Sequence, residues 1–465
     1  MGLLSVGLLA GATAAAQQAE SGPAEATELS RSEAMILLDY QVLPVVGDKP
    51  IDLMGFHVLN KVADSLYLGA GLYAPLVKGA YGGFTAYDIT AHAQRRLTGN
   101  LFATAGLALG GGAGGRSVEN AKALSGTGSF FKAYAGLGYD FGTFSIGANL
   151  ARMKFSNSAI AGTQANVFVE IPYSYLTGPF ASHGQRLSPD KARQAAEGSS
   201  EKMLSVVLDN FQQQHPEGTY KGVFNIADLQ YAHFFAPNTY WFAALGVGYR
   251  GLPLYNQVLG GVGQRMQLSP RITAYGQVGI GSGGYAPEIL STDAGLLVYP
   301  KVSAEYALTK DLGLSLSAGY LVAPKGSSKN TSIGIGLTHH IRAGNTPSFA
   351  GDSGGPTYQA YRVSLFQAVD AGVRYRDVDR GQVKMIGIQA DAIVNDHVYI
   401  PLQAAVATNT YLGYPGYGEL LAGIGLQSRT ARGDHWQVFG QVMGGTNVHG
   451  LAVKASGGVR YGLND

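Results

Sequence analysis

The side chains able to do covalent chemistry are few and far apart. Ser353 stands in Gly351-Asp352-Ser353-Gly354-Gly355-Pro356, and Thr90-Ala91-His92 supplies a histidine far upstream. Acyl transfer from a serine needs that histidine as base and a buried aspartate to orient it. His92 falls inside an alternating strand, and no aspartate stands out as the third member. The pair His339-His340 ends another strand. Adjacent strand residues point to opposite faces, so these two do not ligate one metal from one side, and a membrane-interface position is expected for them. Cysteine is absent, which excludes disulfides, thiolate metal sites and thiol catalysis and fits an exported chain. The glycine runs are not followed by helices, so no nucleotide fingerprint forms. No cofactor, no metal and no enzymatic activity are expected.

The Gly351–Pro356 segment resembles the nucleophile loop of chymotrypsin-like serine proteases. Its separation from His92 is too long for that compact double barrel, and the cysteines usual in that family are missing. A turn-forming loop between two modules accounts for it better. Lipid-modifying barrel enzymes carry a Ser/His/acid group on the outer rim, and no compact cluster of that kind is found.

The elements that would position side chains are strands. The chain has 465 residues, of which only 14% are charged, against about 25% in an ordinary soluble domain. Gly (67) and Tyr (27) are abundant, and the net charge of +2 gives no support for nucleic-acid binding. Period-2 alternation recurs in segments of about 9–13 residues, longer than globular strands and matched to a tilted membrane strand. In Phe131–Phe141 one face carries Phe131, Ala133, Ala135, Leu137, Tyr139 and Phe141; the other carries Lys132, Tyr134 and Asp140. Arg271, Tyr275 and Gln277 share the polar face of a second strand, and Lys454 and Arg460 that of a third. These eight residues are the lumen-facing candidates. Trp241 and Tyr249 bracket Ala243, Leu245 and Val247, as aromatic girdles at two membrane interfaces would. Only a closed sheet pairs every backbone polar group in hydrocarbon, so the fold class expected is an all-β, antiparallel transmembrane β-barrel of about 18–22 strands.

The chain also repeats. Segments beginning Asp64, Asn238 and Asp396 look like one element, and segments beginning Phe102, Tyr275 and Phe439 like a second. Spacings of about 160–175 residues define three related modules, at 30–175, 218–342 and 357–463, built into a single barrel domain over 33–465. One stretch breaks the pattern. Ser188-Pro189-Asp190 makes a helix start, and Met203, Leu204, Val207, Leu208 and Phe211 follow at helical spacing, which predicts a helical insert over 181–217.

The termini suggest a compartment. Residues 1–16 read as a signal peptide with Ala14-Ala15-Ala16 as a cleavage site, followed by a polar segment over 17–32, although no Lys or Arg precedes the apolar run. Ser456, Gly458, Tyr461 and Leu463 resemble the C-terminal assembly signal of Gram-negative outer-membrane β-barrels, with Asn464 and Asp465 departing from the aromatic ending of that signal. The resemblance implies export to the bacterial outer membrane and partners in membrane lipid, lipopolysaccharide and the barrel-assembly machinery, with a homo-oligomer possible. The expected function is a porin-like channel for small polar or weakly polar solutes, with Tyr and Gln lining the lumen. The rivals are a structural or adhesive surface barrel with a plugged lumen and a soluble secreted multi-module β-protein.

Overall fold

The computed structural model describes residues 30–113, 128–178, 201–214, 220, 222–252, 255–285, 289–309, 311–341, 361–371, 374–375, 378–379, 381–409, 417–429, 436–447 and 450–461. The expected signal peptide, the Gly351–Pro356 segment, the Ser188 helix start and Leu463 lie outside these residues.

All regular structure among them is antiparallel β, in three groups. The first is β1 (Ser30–Val45), β2 (Asp48–Ala63), β3 (Leu66–Ala74), β4 (Thr85–Thr98), β5 (Leu101–Ala113), β6 (Ser129–Asp140), β7 (Ser145–Phe155) and β8 (Ala161–Thr177). The second is β9 (Lys202–Gln214), β10 (Val223–Ala236), β11 (Thr239–Arg250), β12 (Asn256–Ser269), β13 (Ile272–Gly284), β14 (Leu296–Ala307), β15 (Leu312–Val322) and β16 (Lys329–Ile341). The third is β17 (Tyr361–Asp370), β20 (Val383–Ile393), β21 (Val398–Ala407), β22 (Gly418–Gln427), β23 (Trp436–Asn447) and β24 (Gly450–Tyr461), with a separate short hairpin of β18 (Arg374–Tyr375) and β19 (Val378–Asp379) after its first strand.

Each of the first two groups is a closed eight-stranded barrel, and the third is a six-stranded sheet. This corrects the expected single barrel. Closure is made by β1 on β8, with Ser30 opposite Thr177 and Tyr40 opposite Val167, and by β9 on β16, with Ser205 opposite Thr338. Inside–outside alternation is the same whether strands close in eights or all together, so only these long-range pairings decide the ring size.

The predicted helical insert is also corrected, because Lys202–Gln214 is the first wall strand of the second barrel. Met203, Ser205, Val207, Asp209, Phe211 and Gln213 point inward, and Leu204, Val206 and Leu208 point outward. Apolar residues on both faces mimic helical spacing. The adjacent β-branched Val206-Val207 favours a strand, as does the buried partner that Asp209 finds only from this face.

Short turns join the strands at one end of each barrel, the end that also holds β1's start and β8's finish. Longer loops join them at the other end, apart from the two-residue turn between β1 and β2. The three groups touch one another at the loop end. The 75–84 loop of the first barrel meets the second, where Gly82 N donates to Asp293 O (2.8 Å), Leu296 N to Leu76 O (3.1 Å) and Lys325 Nζ to Val77 O (2.7 Å). Thr446 Oγ1 of the sheet donates to Gly248 O of the second barrel (3.2 Å). A Cβ at Gly111 of the first barrel would strike Ala407 O of the sheet. Apart from Lys325, which follows the seventh strand, the end of a third strand or its following loop each time meets the end of a fifth strand or its following loop in the next group. The same head-to-tail contact made three times closes a ring. Buried Asp52 fixes the 75–84 loop, accepting from the backbone N–H groups of Leu76, Val77 and Lys78 (3.2, 3.0 and 2.9 Å) and from the Tyr40 hydroxyl (3.0 Å).

A side chain at Gly82 would collide with Thr292 Oγ1 across this contact, whereas a Cβ at Gly276 meets nothing. Gly82→Val is therefore expected to lower stability by about 1–3 kcal/mol, and Gly276→Ala to leave it unchanged. The check is the urea midpoint at which heat-modifiable gel migration is lost.

Candidate functional site: sealed, charged lumens

Outside and inside are inverted relative to a soluble barrel. Large apolar side chains stand exposed around the walls, among them Leu107, Leu109, Leu150, Val262, Leu316, Ile333 and Ile335. Charged and amide side chains are enclosed instead. Exposed aromatics gather at the turn end: Tyr139 meets Phe141 edge to face and Phe141 stacks on Phe144, with centroids 4.9 and 5.3 Å apart, and Trp436 packs on Tyr461 at 4.8 Å.

Each closed lumen has two layers. At the loop end an apolar cluster seals it. In the first barrel Leu43, Leu53, Tyr73, Phe130 and Phe155 are joined by Tyr81 and Phe84 from the 75–84 loop. Burial raises the Tyr81 phenol above its ordinary pKa, and its hydroxyl donates to Lys49 O. In the second barrel the seal is Phe211, Phe224, Tyr255, Leu290, Leu297 and Leu321.

Below the seals lie ion pairs. In the first barrel Lys132 of the sixth strand crosses the lumen to Asp39 of the first strand and donates to the Tyr73 hydroxyl at 2.9 Å. His57 Nε2 lies 3.0 Å from Asp88 Oδ2, whose other oxygen accepts from Thr90 at 2.6 Å. Nearer the turn end, His92 Nδ1 is 2.7 Å from the Tyr134 hydroxyl and its Nε2 is 3.4 Å from Glu170 Oε1. His92 is thus part of the packed lumen. A void of about 10 Å³ beside Asp39, His57, Lys132 and Tyr134 has room for about one water molecule and no solute.

The second barrel repeats the scheme with different neighbours. Lys301 Nζ of its sixth strand reaches Asp209 Oδ2 of its first at 2.7 Å. Gln257 donates to Asp228 at 3.2 Å, and Gln277 exchanges bonds with Gln230 at 2.8 and 3.2 Å. At the turn end His340 bridges Glu201 (3.0 Å) and Glu305 (2.8 Å), with Arg265 on Glu201 at 2.7 Å. In the six-stranded sheet Arg362 donates to Asp391 at 2.8 and 2.6 Å and reaches Gln427 (3.0 Å) and Gln437 (3.2 Å) on the far wall. Arg460 Nη2 lies 3.5 Å from Asp391, and Lys454 Nζ lies 2.7 Å from Glu419.

Of the eight residues read from sequence as lumen-facing, Lys132, Tyr134, Tyr275, Gln277, Lys454 and Arg460 point inward into these networks. Asp140 and Arg271 lie instead at the turn rim. Asp140 closes β6, pairing with Arg96 at 3.1 Å and accepting from Gly142 N, and Arg271 precedes β13 and donates to the Tyr306 hydroxyl at 3.2 Å. Both keep the polar-face parity, but their strands end before the parity can enclose them. Ser456, Gly458 and Tyr461 lie on β24, with Tyr461 outward. Asp39, His57, Asp88, Asp209, Lys301 and His340 were not singled out as lumen residues from sequence. Asp209 was lost to the helical reading, and His340 follows the inward parity that Thr338 shares. Among the described residues no group of three or more His, Asp or Glu side chains is arranged to hold a metal ion.

No protein-family model matches this chain, and no curated protein matches it. Among solved structures it is similar to the outer membrane protein Ail of Yersinia pestis, at 13% identity over 31% of this chain and 100% of that one, with a TM-score of 0.22. It is also similar to a KdgM porin (6% identity, 67% and 98% covered, TM-score 0.15) and to OpdL of Pseudomonas aeruginosa (9% identity, 93% and 97% covered, TM-score 0.23). These neighbours are outer-membrane β-barrel proteins. At such scores they add nothing to what the strand pairing already establishes.

The cross-lumen pairs give a sharp expectation. Lys301→Met leaves the Asp209 carboxylate, fully buried, without its cation, and a broken buried pair costs about 3–5 kcal/mol. The double variant Asp209→Leu/Lys301→Met is expected to recover most of that loss. Urea unfolding in detergent micelles, run as a double-mutant cycle, measures both.

Proposed function

We propose that this chain is an integral outer-membrane protein: a ring of barrel modules with sealed lumens, acting as a structural scaffold that presents one joined loop platform. The observation that carries the reading is the inverted polarity, with apolar side chains outside and ionisable ones enclosed. In water that arrangement would expose the apolar walls and desolvate the charges together. In hydrocarbon it meets both demands, and the strand lengths and turn-end aromatics fit the same setting. The sealing supports the structural role, since an eight-stranded wall leaves an interior just wide enough for side chains to fill. Export through the periplasm and insertion by the barrel-assembly machinery belong to this proposal, as does lipopolysaccharide as the surrounding lipid.

A porin-like channel is the second reading, favoured by the polar groups that line each lumen below the seal, including His57, Asp88, Gln230 and Gln277. Passage of a small polar solute along that path requires the loop-end cluster to move aside and the Lys–Asp pairs to open.

Two measurements on the purified chain separate the readings. Flotation with liposomes after urea extraction is expected to leave the chain with the lipid; recovery in the aqueous fraction would contradict the membrane reading. Single-channel recording in planar bilayers is expected to show no steady conductance. Steps that grow when Tyr81→Ala and Phe84→Ala thin the seal, already visible in the unmodified chain, would favour the channel.

A further inference from the structure

The outer wall of the first barrel carries two cations where apolar side chains are the rule. Arg152 and Lys154 of β7 alternate with the inward Ala151, Met153 and Phe155, so both stand exposed on the lipid side. From Ser145, beside the turn-end aromatics, to Lys154 the strand runs about 30 Å, which at a tilt of about 40° is about 23 Å of height. An apolar band of about 25 Å therefore puts Arg152 just inside its upper edge and Lys154 at that edge. Long cationic side chains at such a depth reach up to the headgroup layer.

The chain itself offers these cations no counter-charge. Neither is paired with a carboxylate among the described residues. The segments that enter β1, join β8 to β9 and β16 to β17, and leave β24 all do so at the turn end, across the full height of the barrel from Lys154. The contacts between modules run through third and fifth strands and the loop after β15, and none of them involves β6, β7 or β8. The segment 114–127 that leads into β6 brings Arg116 and Lys122 against Glu119, so it adds no net negative charge. In a bilayer the anions at this height are headgroup phosphates.

The neighbours specify the headgroup. Phe131 lies opposite Lys154 on β6, pointing outward and 42% exposed, and Thr163 lies opposite Arg152 on β8, also outward. The two cations stand one pleat apart, about 7 Å along the strand. A headgroup with a single phosphate would leave one of them unmatched and would bring no ring to Phe131. A diphosphorylated sugar meets every element: one phosphate on the Arg152 fork, the other on Lys154, a sugar face on the Phe131 ring and a hydroxyl on Thr163. The second barrel carries a reduced copy at the base of the hairpin of its seventh and eighth strands. There Lys329 points outward opposite Val322, with the outward pair Tyr320 and Thr331 one pleat below.

We propose that Arg152, Lys154, Phe131 and Thr163 form a binding site for the headgroup of a diphosphorylated glycolipid in the loop-end leaflet, the chemistry of a lipopolysaccharide anchor. The inference rests on the membrane reading above and gives the lipid named there a specific seat on the first barrel.

The test uses the whole chain in a neutral detergent, with native mass spectrometry counting bound lipid and three probes: diphosphoryl lipid A, phosphatidylglycerol and phosphatidylcholine. Lipid A is expected to bind about tenfold more tightly than phosphatidylglycerol, and phosphatidylcholine more weakly than either. Arg152→Gln and Lys154→Gln each weaken lipid A binding several-fold, and the double variant weakens it at least tenfold. Phe131→Leu, which keeps the wall apolar, weakens lipid A several-fold and leaves phosphatidylglycerol unchanged. Arg95→Gln, at an exposed cation near the turn end of β4, changes neither. Heat-modifiable migration confirms that each variant is folded before lipid is added. Any one of four results overturns the proposal: phosphatidylglycerol binds as tightly as lipid A, the double variant holds lipid A as well as the unmodified chain, Arg95→Gln weakens lipid A as much as Arg152→Gln, or millimolar inorganic phosphate displaces the lipid and so marks a site for free anions. Flotation of the unmodified chain with lipid A vesicles is run first. A chain left in the aqueous fraction means that the membrane reading has failed, whereas a chain that floats and gives one of the four results overturns this inference alone.

Discussion

A cation on one wall of a narrow barrel held by a carboxylate on the opposite wall is the interaction on which this architecture turns. It appears as Lys132 with Asp39, as Lys301 with Asp209, and in the open sheet as Arg460 with Asp391, a carboxylate also held by Arg362 on the neighbouring strand. Each charge is nearly or fully withdrawn from solvent, and only its partner makes that tolerable. The pairing is possible because eight strands bring opposite walls within one side chain's reach. A wider ring would leave the same residues facing water. The pairs thus record the ring size in chemical form.

The outer surface follows from the same constraint. With most ionisable groups of the strands drawn inward, the walls are left mainly to Leu, Val, Ile and small residues, with charges such as Arg152 and Lys154 outward near the loop end, and the backbone must be paired around the circle. Among the described residues the modules meet at their loop ends, through backbone groups at Gly82, Asp293, Leu76, Gly248 and the tight approach of Gly111 to Ala407. Below those contacts residues such as Leu107, Val262 and Ile424 remain exposed, available to acyl chains between the barrels. On the membrane reading, polar knots at one end and lipid-facing walls below make the two short barrels and the curled sheet behave as one object.

How much of this could be read in the sequence divides along physical lines. Alternation is local, so strand faces were legible: Phe131 through Phe141 and Lys132 through Tyr134 fall on the sides their parity assigns. The expected repeat has a spacing of about one barrel's length, and that spacing was the available clue to ring size. Closure itself was not, because the pairing of Ser30 with Thr177 leaves no mark on either segment. Lys202–Gln214 was misread since Met203, Leu204, Val207, Leu208 and Phe211 satisfy helical spacing and strand parity alike. The β-branched Val206-Val207 pair and the position of Asp209 on the enclosed face distinguish them. Asp140 and Arg271 show the limit of parity at strand ends, where a residue on the inner face emerges at the rim.

The central claim is that narrow, closed, inside-out barrels stand in the membrane. Accessibility of spin labels at single cysteines tests it most directly, and the cysteine-free chain makes the labelling clean. Labels at Leu107, Leu316 and Ile335 in a bilayer should collide freely with oxygen and hardly at all with a water-soluble nickel chelate. The account is contradicted if those three positions meet the chelate as readily as the turn residue Gly99 does.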